Sequence, residues 1–114
     1  MTNQLKGRTV AFLATDGFEE VELTAPWNAL SQAGAEVRLL SDRSGQIQAV
    51  NHDEKGRSFP VDFEVAGASA RDFDALVLPG GVANPDKLRQ NRDAVRFVRE
   101  FMEADKPVAA ICHA

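Results

Sequence analysis

The sequence has 114 residues, enough for one small domain with a single modest core. Hydrophobic residues make up 44% of it and charged residues 26%, which is ordinary for a globular protein in water. A net charge of -4 disfavours nucleic acid as a partner, because an acidic surface repels phosphate groups. The single cysteine excludes a disulfide within the chain, and no apolar run has the length of a membrane span or a signal peptide. We therefore expect a cytoplasmic protein without a membrane partner.

The beginning of the chain predicts a strand, a helix and a second strand. The apolar run TVAFLAT, residues 9–15, is rich in β-formers and is typical of a strand buried on both faces. From about Glu20 to Ala33 apolar residues recur near helical spacing, with Gly34 following as a C-terminal cap and Pro26 as the one awkward residue. EVRLLS, residues 36–41, predicts the second strand. This order indicates a right-handed parallel crossover.

The later segments predict more strands and one more helix. Residues 42–70 are rich in turn-forming residues, and we expect short antiparallel strands along one edge of the sheet. FDALVLPGG, residues 73–81, predicts a buried strand that ends in a sharp turn, and KPVAAIC, residues 106–112, predicts another apolar strand. Residues 93–104 predict an amphipathic helix whose apolar positions are Val95, Val98, Phe101 and Met102. Alternating strands and helices favour an open α/β sheet, in which ligands bind beyond the carboxyl ends of the strands.

Cys112 lies where such a sheet would place a nucleophile elbow, after a buried strand and before an expected helix. Its neighbours two positions away, Ala110 and Ala114, are small, as that tight turn requires. A helix N-terminus would lower the pKa of the thiol, and the adjacent His113 could act as a base. An inert, buried cysteine is the alternative that the residues alone leave open. His52 lies in a polar loop, and we assign it no role.

Three stretches together, DGFEEVELTAP, FDALVLPGG and KPVAAICHA, resemble the signature blocks of the DJ-1/PfpI superfamily, most closely its PfpI-type branch. The resemblance covers nearly all of the chain. It implies a flavodoxin-like α/β three-layer sandwich with a mainly parallel sheet, similar to that of class I glutamine amidotransferases. Members of the family continue for several elements after the elbow. We therefore expect residues 1–114 to be the N-terminal portion of a single domain, with its C-terminal part absent from this chain.

The resemblance also implies site residues. Cys112 matches the nucleophile, His113 the histidine that follows it, and Glu22 the acid that meets the thiol in this superfamily. A protonated carboxyl that donates to a thiolate stabilises the charged sulfur. Gly80 and Gly81 resemble the element whose backbone N–H groups, together with that of His113, hold an oxyanion. For these glycines and for Glu22 the structural alternatives are a tight turn and a solvated acid near a helix N-terminus.

Two further acids belong to this set. Asp86 matches the acid that in the PfpI branch orients the histidine from a neighbouring subunit, which implies a homo-oligomer, a dimer or larger, whose site is completed across subunits. Its structural alternative is an acid at the start of a short helix. Glu19, one helical turn before Glu22, is a candidate supporting acid on the same face. Ala114 stands where the family usually has glycine, and alanine is small enough for the elbow to survive.

The function that this resemblance implies is a stress-response enzyme with a cysteine nucleophile and a carbonyl substrate. Glyoxalase-like activity on small carbonyl compounds, deglycation of glycated proteins and peptide hydrolysis all need the same nucleophile, proton shuttle and oxyanion donors, so they stay open. The alternative is a redox-sensing or chaperone-like protein that uses an oxidisable cysteine without turnover. A glutamine amidotransferase is disfavoured, because that class expects glycines around the cysteine and its histidine later in the chain. We expect no metal and no cofactor, because no ligand cluster or phosphate loop is evident.

Overall fold

A computed structural model describes residues 4–52, 54–81 and 84–111, with the side chains of residues 84 and 85 left out of the description. In chain order the elements are β1 (Thr9–Leu13), β2 (Phe18–Glu19), α1 (Glu20–Gln32), β3 (Glu36–Ser41), β4 (Gln46–Asn51), β5 (Glu54–Pro60), β6 (Phe63–Glu64), β7 (Ala75–Leu78), α2 (Asn84–Arg89), α3 (Arg92–Glu103) and β8 (Val108–Ala110). Single turns of 3-10 helix at Val65–Gly67 and Ala70–Asp72 lie between β6 and β7. None of the helices within these described ranges combines the length and the apolar character that a membrane span requires.

The main sheet has five strands in the order β6-β3-β1-β7-β8, and every pair of neighbours is parallel. The central strand β1 pairs with β3 from Thr9↔Glu36 to Leu13↔Leu40. On its other side β1 pairs with β7, and β7 pairs with β8. The prediction of a mainly parallel, flavodoxin-like α/β sheet is therefore confirmed.

Strand β1 supplies apolar side chains to both faces of the sheet, as its uninterrupted apolar run predicts. Val10 and Phe12 pack on the face covered by α1, in a core cluster that includes Leu23 and the half-buried Trp27. Ala11 and Leu13 pack on the opposite face, which α3 covers. The sheet is thus the middle layer of three, and both of its faces are buried at β1.

Helix α1 begins directly after β2 and ends close to its predicted boundary. Gly34 follows it with a φ of 101°, and its N–H donates to Ser31 O at 3.1 Å, which satisfies a carbonyl at the helix end. Pro26 lies inside the helix. Its ring cannot donate an N–H to the carbonyl of Glu22, but the helix continues because its apolar side packs on the sheet.

The middle of the chain forms a second, smaller sheet. Strands β4 and β5 are an antiparallel hairpin, as expected. Their predicted location was wrong, because they do not extend an edge of the main sheet. Instead β4 pairs in parallel with the short strand β2, so the hairpin lies beside the start of α1. The edge position next to β3 is taken by β6, which is parallel to it.

Two expectations for the last described segments need correction. On α3 the buried positions are Ala94, Phe97 and Phe101, whereas Val95 and Met102 are exposed by 37% and 63%. Apolar residues occupy more than one side of this helix, so periodicity alone selected the wrong pair. Strand β8, predicted as a buried strand, is largely exposed, because β7 is its one neighbour among the described strands.

Candidate active site

The candidate site lies at the carboxyl ends of β1, β7 and β8. The segment after β1 and the segment after β7 meet there, since Glu19 N–H donates to Gly80 O at 2.9 Å. Ile111 N–H donates to Leu78 O at 3.0 Å, which aligns the ends of β8 and β7. The segments that follow β1 and β7 therefore meet at the carboxyl edge of the sheet, where the sequence predicts the site, and β8 ends beside them. Cys112 and His113 lie outside the described residues, so their roles stay predictions.

Gly80 is held at both of its backbone groups by the segment that begins α1. Its carbonyl accepts from Glu19 N–H, and its own N–H donates to Glu22 Oε1 at 2.8 Å. Glu22 is half-buried and comes from the first turn of α1. The Gly80 N–H is thus engaged by Glu22, and the oxyanion role of Gly80 and Gly81 stays a prediction. The structure therefore links two of the predicted site residues directly and gives Gly80 a partner that the sequence did not indicate.

Gly81 is a position that only glycine fits. Its φ is +128°, which lies outside the range that side chains with a Cβ normally adopt. A Cβ there would come within 2.7 Å of Gly17 O, 3.0 Å of Glu19 N and 3.2 Å of Phe18 Cα. The turn after β7 is therefore packed directly against the backbone that leads into α1.

Glu19, the candidate supporting acid, contacts a different neighbour from Glu22. It is the residue before α1 and is 5% exposed. Its Oε2 accepts from the backbone N–H of His52 at 2.9 Å. His52, at the end of β4, has a φ of 58°, which is uncommon for a residue other than glycine. Sequence reasoning assigned no role to His52, and its structural contact is through its backbone rather than its imidazole.

Glu20 is a further acid of this segment that the sequence reasoning missed. Its Oε1 accepts from Arg57 N–H and its Oε2 from Arg57 Nε, both at 2.9 Å. These two hydrogen bonds hold the pKa of Glu20 below its ordinary value, and the bond from the Arg57 backbone N–H has the larger effect. A Cβ on Gly56 would lie 2.5 Å from Glu20 Oε1 and 3.2 Å from Ala49 O, so a side chain there would have to displace the Glu20 carboxylate. Consecutive acids thus bind the hairpin at two places, Glu19 directly after β4 and Glu20 on β5.

Asp86 lies on α2 with its side chain 70% exposed, and its ion-pair partner is Arg89 at 3.5 Å. The neighbouring Lys87 Nζ donates to Asp16 O at 3.4 Å, so α2 contacts the loop after β1. An exposed pair of this kind contributes at most about 1 kcal/mol. The carboxylate of Asp86 is therefore weakly held and faces solvent, and its predicted role across a subunit boundary stays a prediction.

Asp16 stabilises the loop after β1. Its Oδ1 accepts from Arg43 Nη2 at 2.6 Å and from Gln48 N–H at 2.8 Å. Both donors belong to the chain around β4, so this carboxylate attaches the loop to the smaller sheet. Across the described part of the chain, histidine, cysteine, aspartate and glutamate side chains nowhere gather in a group of three that could hold a metal ion.

An open apolar groove of about 610 Å³ adjoins the glycine turn. It lies between the ends of β7 and β8 on one side and α2 and α3 on the other. Its lining includes Leu78, Pro79, Leu88, Val98, Met102 and Ile111. The exposure of Met102 and Val95, unexpected from the sequence, follows from their position along this groove.

Comparison with known proteins agrees with this architecture. The model of the DJ-1/PfpI family matches residues 8–114. The chain is 39% identical over 106 residues to "Putative cysteine protease YraA" of Bacillus subtilis, covering 93% of this chain and 60% of that protein. It is 41% identical over 104 residues to "Deglycase PH1704" of Pyrococcus horikoshii, covering 91% of this chain and 60% of that protein. The chain thus spans 60% of the length of both relatives.

A solved structure shows the same fold. It is the crystal structure of a two-domain protein from Anabaena variabilis with DJ-1/ThiJ/PfpI-like and ferritin-like domains, matched with a TM-score of 0.85 and 41% identity. The match covers 93% of this chain and 30% of that one. The family model spans the β1 loop, the start of α1 and the glycine turn, which are the segments that meet at the candidate site. The sequence match and the fold lead to one conclusion: the chain belongs to the DJ-1/PfpI family.

Proposed function

We propose that the protein is a cytoplasmic enzyme of the stress response that attacks carbonyl compounds with Cys112. The observation that carries the proposal is the 2.8 Å hydrogen bond from Gly80 N–H to Glu22 Oε1, which holds an acid beside the end of β7. Ile111, the residue before Cys112 in the sequence, pairs with Leu78 at that same end. The deglycase and cysteine protease names of the relatives support the same class of chemistry.

The chemistry begins with the thiol of Cys112. Glu22 Oε1 accepts from Gly80 N–H, and the carboxyl group of Glu22 would donate its proton to the sulfur. A hydrogen bond from this carboxyl to the thiolate favours the ionised sulfur and lowers the pKa of the thiol. The thiolate is the reactive form, and the expected helix N-terminus after the elbow would favour it further.

Attack forms a bond between the sulfur and the carbonyl carbon, and the carbonyl π electrons move to the oxygen. That oxyanion needs N–H donors placed where its charge develops. Because Gly80 N–H is bound to Glu22, we assign this role to Gly81 N–H together with the N–H of His113. The imidazole of His113 is then the group that moves a proton to the oxyanion or to a leaving group.

Among carbonyl substrates, small oxoaldehydes such as methylglyoxal fit best. An aldehyde carbon is more electrophilic than the carbon of a peptide bond, so a thiolate with few supporting groups attacks it more readily. Glycated proteins and peptides are the other two substrate classes, and they correspond to the names of the relatives, a deglycase and a cysteine protease. The three classes share the first bond-forming step and differ in what leaves the carbon afterwards.

We further propose a homo-oligomer in which Asp86 of one subunit orients His113 of another. The exposure of Asp86, 70% at its side chain, leaves it accessible to a neighbouring subunit. A carboxylate beside an imidazole selects its tautomer and stabilises its charged form. The proposed site is therefore complete in the assembly.

The test is a pH titration of the alkylation rate of Cys112, combined with turnover assays on methylglyoxal, a glycated peptide and an unmodified peptide. Cys112 is the single cysteine of residues 1–114, so in this chain a thiol reagent reports on it. We expect a thiol pKa below about 7, compared with about 8.5 for an ordinary cysteine, and turnover that Cys112→Ser abolishes. An ordinary thiol pKa without turnover would contradict the proposal. A low thiol pKa with oxidation by peroxide and no turnover would favour the redox-sensing alternative.

Two variants of Glu22 separate its structural and chemical roles. Glu22→Gln keeps an oxygen that can accept from Gly80 N–H, whereas Glu22→Ala removes it. We expect Glu22→Ala to lower the free energy of unfolding by about 1 kcal/mol through the lost hydrogen bond, and Glu22→Gln to leave it near that of the wild type. Glu22→Ala should raise the pKa of the Cys112 thiol, because it leaves no donor to the sulfur, and Glu22→Gln should raise it less, because its side-chain N–H can still donate. An unchanged thiol pKa in both would remove Glu22 from the mechanism.

A further inference from the structure

Glu19 contacts both the β4–β5 hairpin and the glycine turn after β7. Its backbone N–H donates to Gly80 O at 2.9 Å, and its carboxylate Oε2 accepts from His52 N–H, also at 2.9 Å. The residue is 5% exposed, so the carboxylate is largely removed from water. A buried carboxylate is stable only where it has hydrogen-bond donors, and here the hairpin supplies one.

On the hairpin side, the carboxylate supports an unfavourable backbone conformation. His52 has a φ of 58°, in the left-handed region that residues with a Cβ seldom occupy. Such a conformation persists where the surroundings impose it. The hydrogen bond from His52 N–H to the carboxylate is charge-assisted, which makes it stronger than an ordinary backbone contact. Glu19 thereby stabilises the left-handed conformation of His52, the residue that follows β4.

On the turn side, Glu19 and Glu22 bind the two backbone polar groups of Gly80. Glu19 N–H binds Gly80 O, and Glu22 Oε1 binds Gly80 N–H at 2.8 Å. A Cβ on Gly81 would lie 3.0 Å from Glu19 N, so the turn lies close against this segment. A displacement of Glu19 would therefore change the position of Gly80 and, with it, the orientation of the Glu22 carboxyl.

We propose that Glu19 is a positioning residue, not a second acid at the thiol. It couples the docking of the hairpin to the orientation of Glu22 and of the Gly80–Gly81 turn. The coupling itself joins His52, Glu19 and Gly80 through hydrogen bonds. Its consequence for Cys112 rests on the proposed function. The residue next to it supplies a matched control, because the Glu20 carboxylate binds the same hairpin through Arg57 and Asn51.

The experiment measures amide hydrogen exchange by NMR at Gly80, His52 and Arg57 in the wild type, Glu19→Ala, Glu19→Gln and Glu20→Ala. We expect Glu19→Ala to accelerate exchange about tenfold or more at both His52 and Gly80, since His52 N–H loses its acceptor and Gly80 is bound to the same residue through the Glu19 backbone N–H. Glu19→Gln, which keeps an acceptor oxygen, should restore most of the protection. Glu20→Ala should accelerate exchange at Arg57 and leave Gly80 unchanged.

The pH profile of Cys112 alkylation is the second readout, because a purely structural loss of stability would leave the thiol pKa where it is. We expect Glu19→Ala to move this profile to higher pH by about one unit, and Glu19→Gln to move it less. At a pH well below the thiol pKa, a shift of about one unit is a tenfold decrease in the thiolate fraction. A moved profile in Glu19→Ala with unchanged Gly80 exchange would overturn the coupling. So would altered exchange at His52 alone.

The two proposals fail separately. An ordinary thiol pKa in the wild type contradicts the proposed function, and Gly80 exchange still decides whether Glu19 positions the turn. If Glu19→Ala does not fold, Glu19→Gln carries the test. Its neutral acceptor should give a smaller acceleration at both His52 and Gly80, and an effect at His52 without one at Gly80 would overturn the inference.

Discussion

The backbone N–H of Gly80 donates to Glu22 Oε1 at 2.8 Å, across 58 positions of the sequence. This contact attaches the first turn of α1 to the turn that follows β7. Glu19 N–H strengthens the attachment by donating to Gly80 O. An acid and a glycine turn that resemble separate parts of a catalytic site are thus parts of one hydrogen-bonded unit. A change at either end is expected to affect the other.

Gly81→Ala tests how tightly that unit is packed. The new Cβ would lie 2.7 Å from Gly17 O, and alanine is strained at a φ of +128°. We expect the free energy of unfolding, measured by urea titration, to fall by about 2–4 kcal/mol.

Gly45→Ala is the matched control for Gly81→Ala, because Gly45 has a φ of +90° and open space around its Cβ position. It should lose about 1 kcal/mol from backbone strain alone. Equal losses in the two variants would show that the close approach of Gly81 to Gly17 has no energetic weight.

Glu20→Gln tests the attachment of the hairpin through its pH dependence. Hydrogen bonds from Arg57 N–H and from its guanidinium lower the pKa of Glu20 in the folded state below the ordinary value of 4.5. A lowered folded pKa stabilises the protein above the unfolded pKa, and that stabilisation is lost as the pH falls through the folded value. We therefore expect Glu20→Gln to be less stable than the wild type at neutral pH and to approach it in acid.

Thermal unfolding of the wild type and Glu20→Gln from neutral pH down to acid measures this difference. Glu100→Gln is a second probe at a distant place, since Ala70 N–H and Arg96 lower the pKa of Glu100 in the same direction. The difference between Glu20→Gln and the wild type should be the same in the Glu100→Gln background, because distant sites act independently. A difference in melting temperature that does not change with pH would contradict the role of the Glu20 charge.

Phe97→Ala and Met102→Ala test which side of α3 is buried. Phe97 is fully buried and packs edge-on against Phe73 and Phe101, with ring centroids 5.9 and 5.0 Å away. Its truncation should cost about 3–5 kcal/mol of unfolding free energy, measured by denaturant titration. Met102 is 63% exposed, and its truncation should change stability by less than about 0.5 kcal/mol. A large effect at Met102 would mean that the groove it lines is covered in the folded protein.

Asp86→Asn tests the site proposed to be completed across subunits. Asp86 is exposed, so its substitution should leave the melting temperature unchanged while it lowers kcat/KM. Mixing Asp86→Asn subunits with Cys112→Ser subunits should restore about a quarter of the wild-type activity in a dimer, because half of the dimers are mixed and each has one intact site. Arg89→Ala, which removes the ion-pair partner of Asp86, is the control and should keep full activity. No recovery on mixing would place Asp86 outside the partner's site.

The strands and helices could largely be read from local sequence patterns. The predicted β3 boundaries, residues 36–41, agree with the structure. The ends of α1 and α3 lie within one residue of their predicted positions. Apolar runs and helical periodicity are properties of consecutive residues, so they are visible without the fold. The buried side of α3 could not be predicted in this way, because apolar residues lie on several sides of that helix. Packing in the folded protein selects Ala94, Phe97 and Phe101.

The sequence by itself was enough to predict the α/β fold class from its apolar runs and, through its resemblance to the DJ-1/PfpI superfamily, the family and the candidate residues. The tertiary structure decided which of these residues touch. Glu22 binds Gly80, Glu19 binds His52, and Gly81 packs against Gly17, all across at least 30 positions of chain. Such contacts arise from the pairing of distant strands and leave little trace in local patterns. That is why the hairpin's attachment to the site became visible only in the folded molecule.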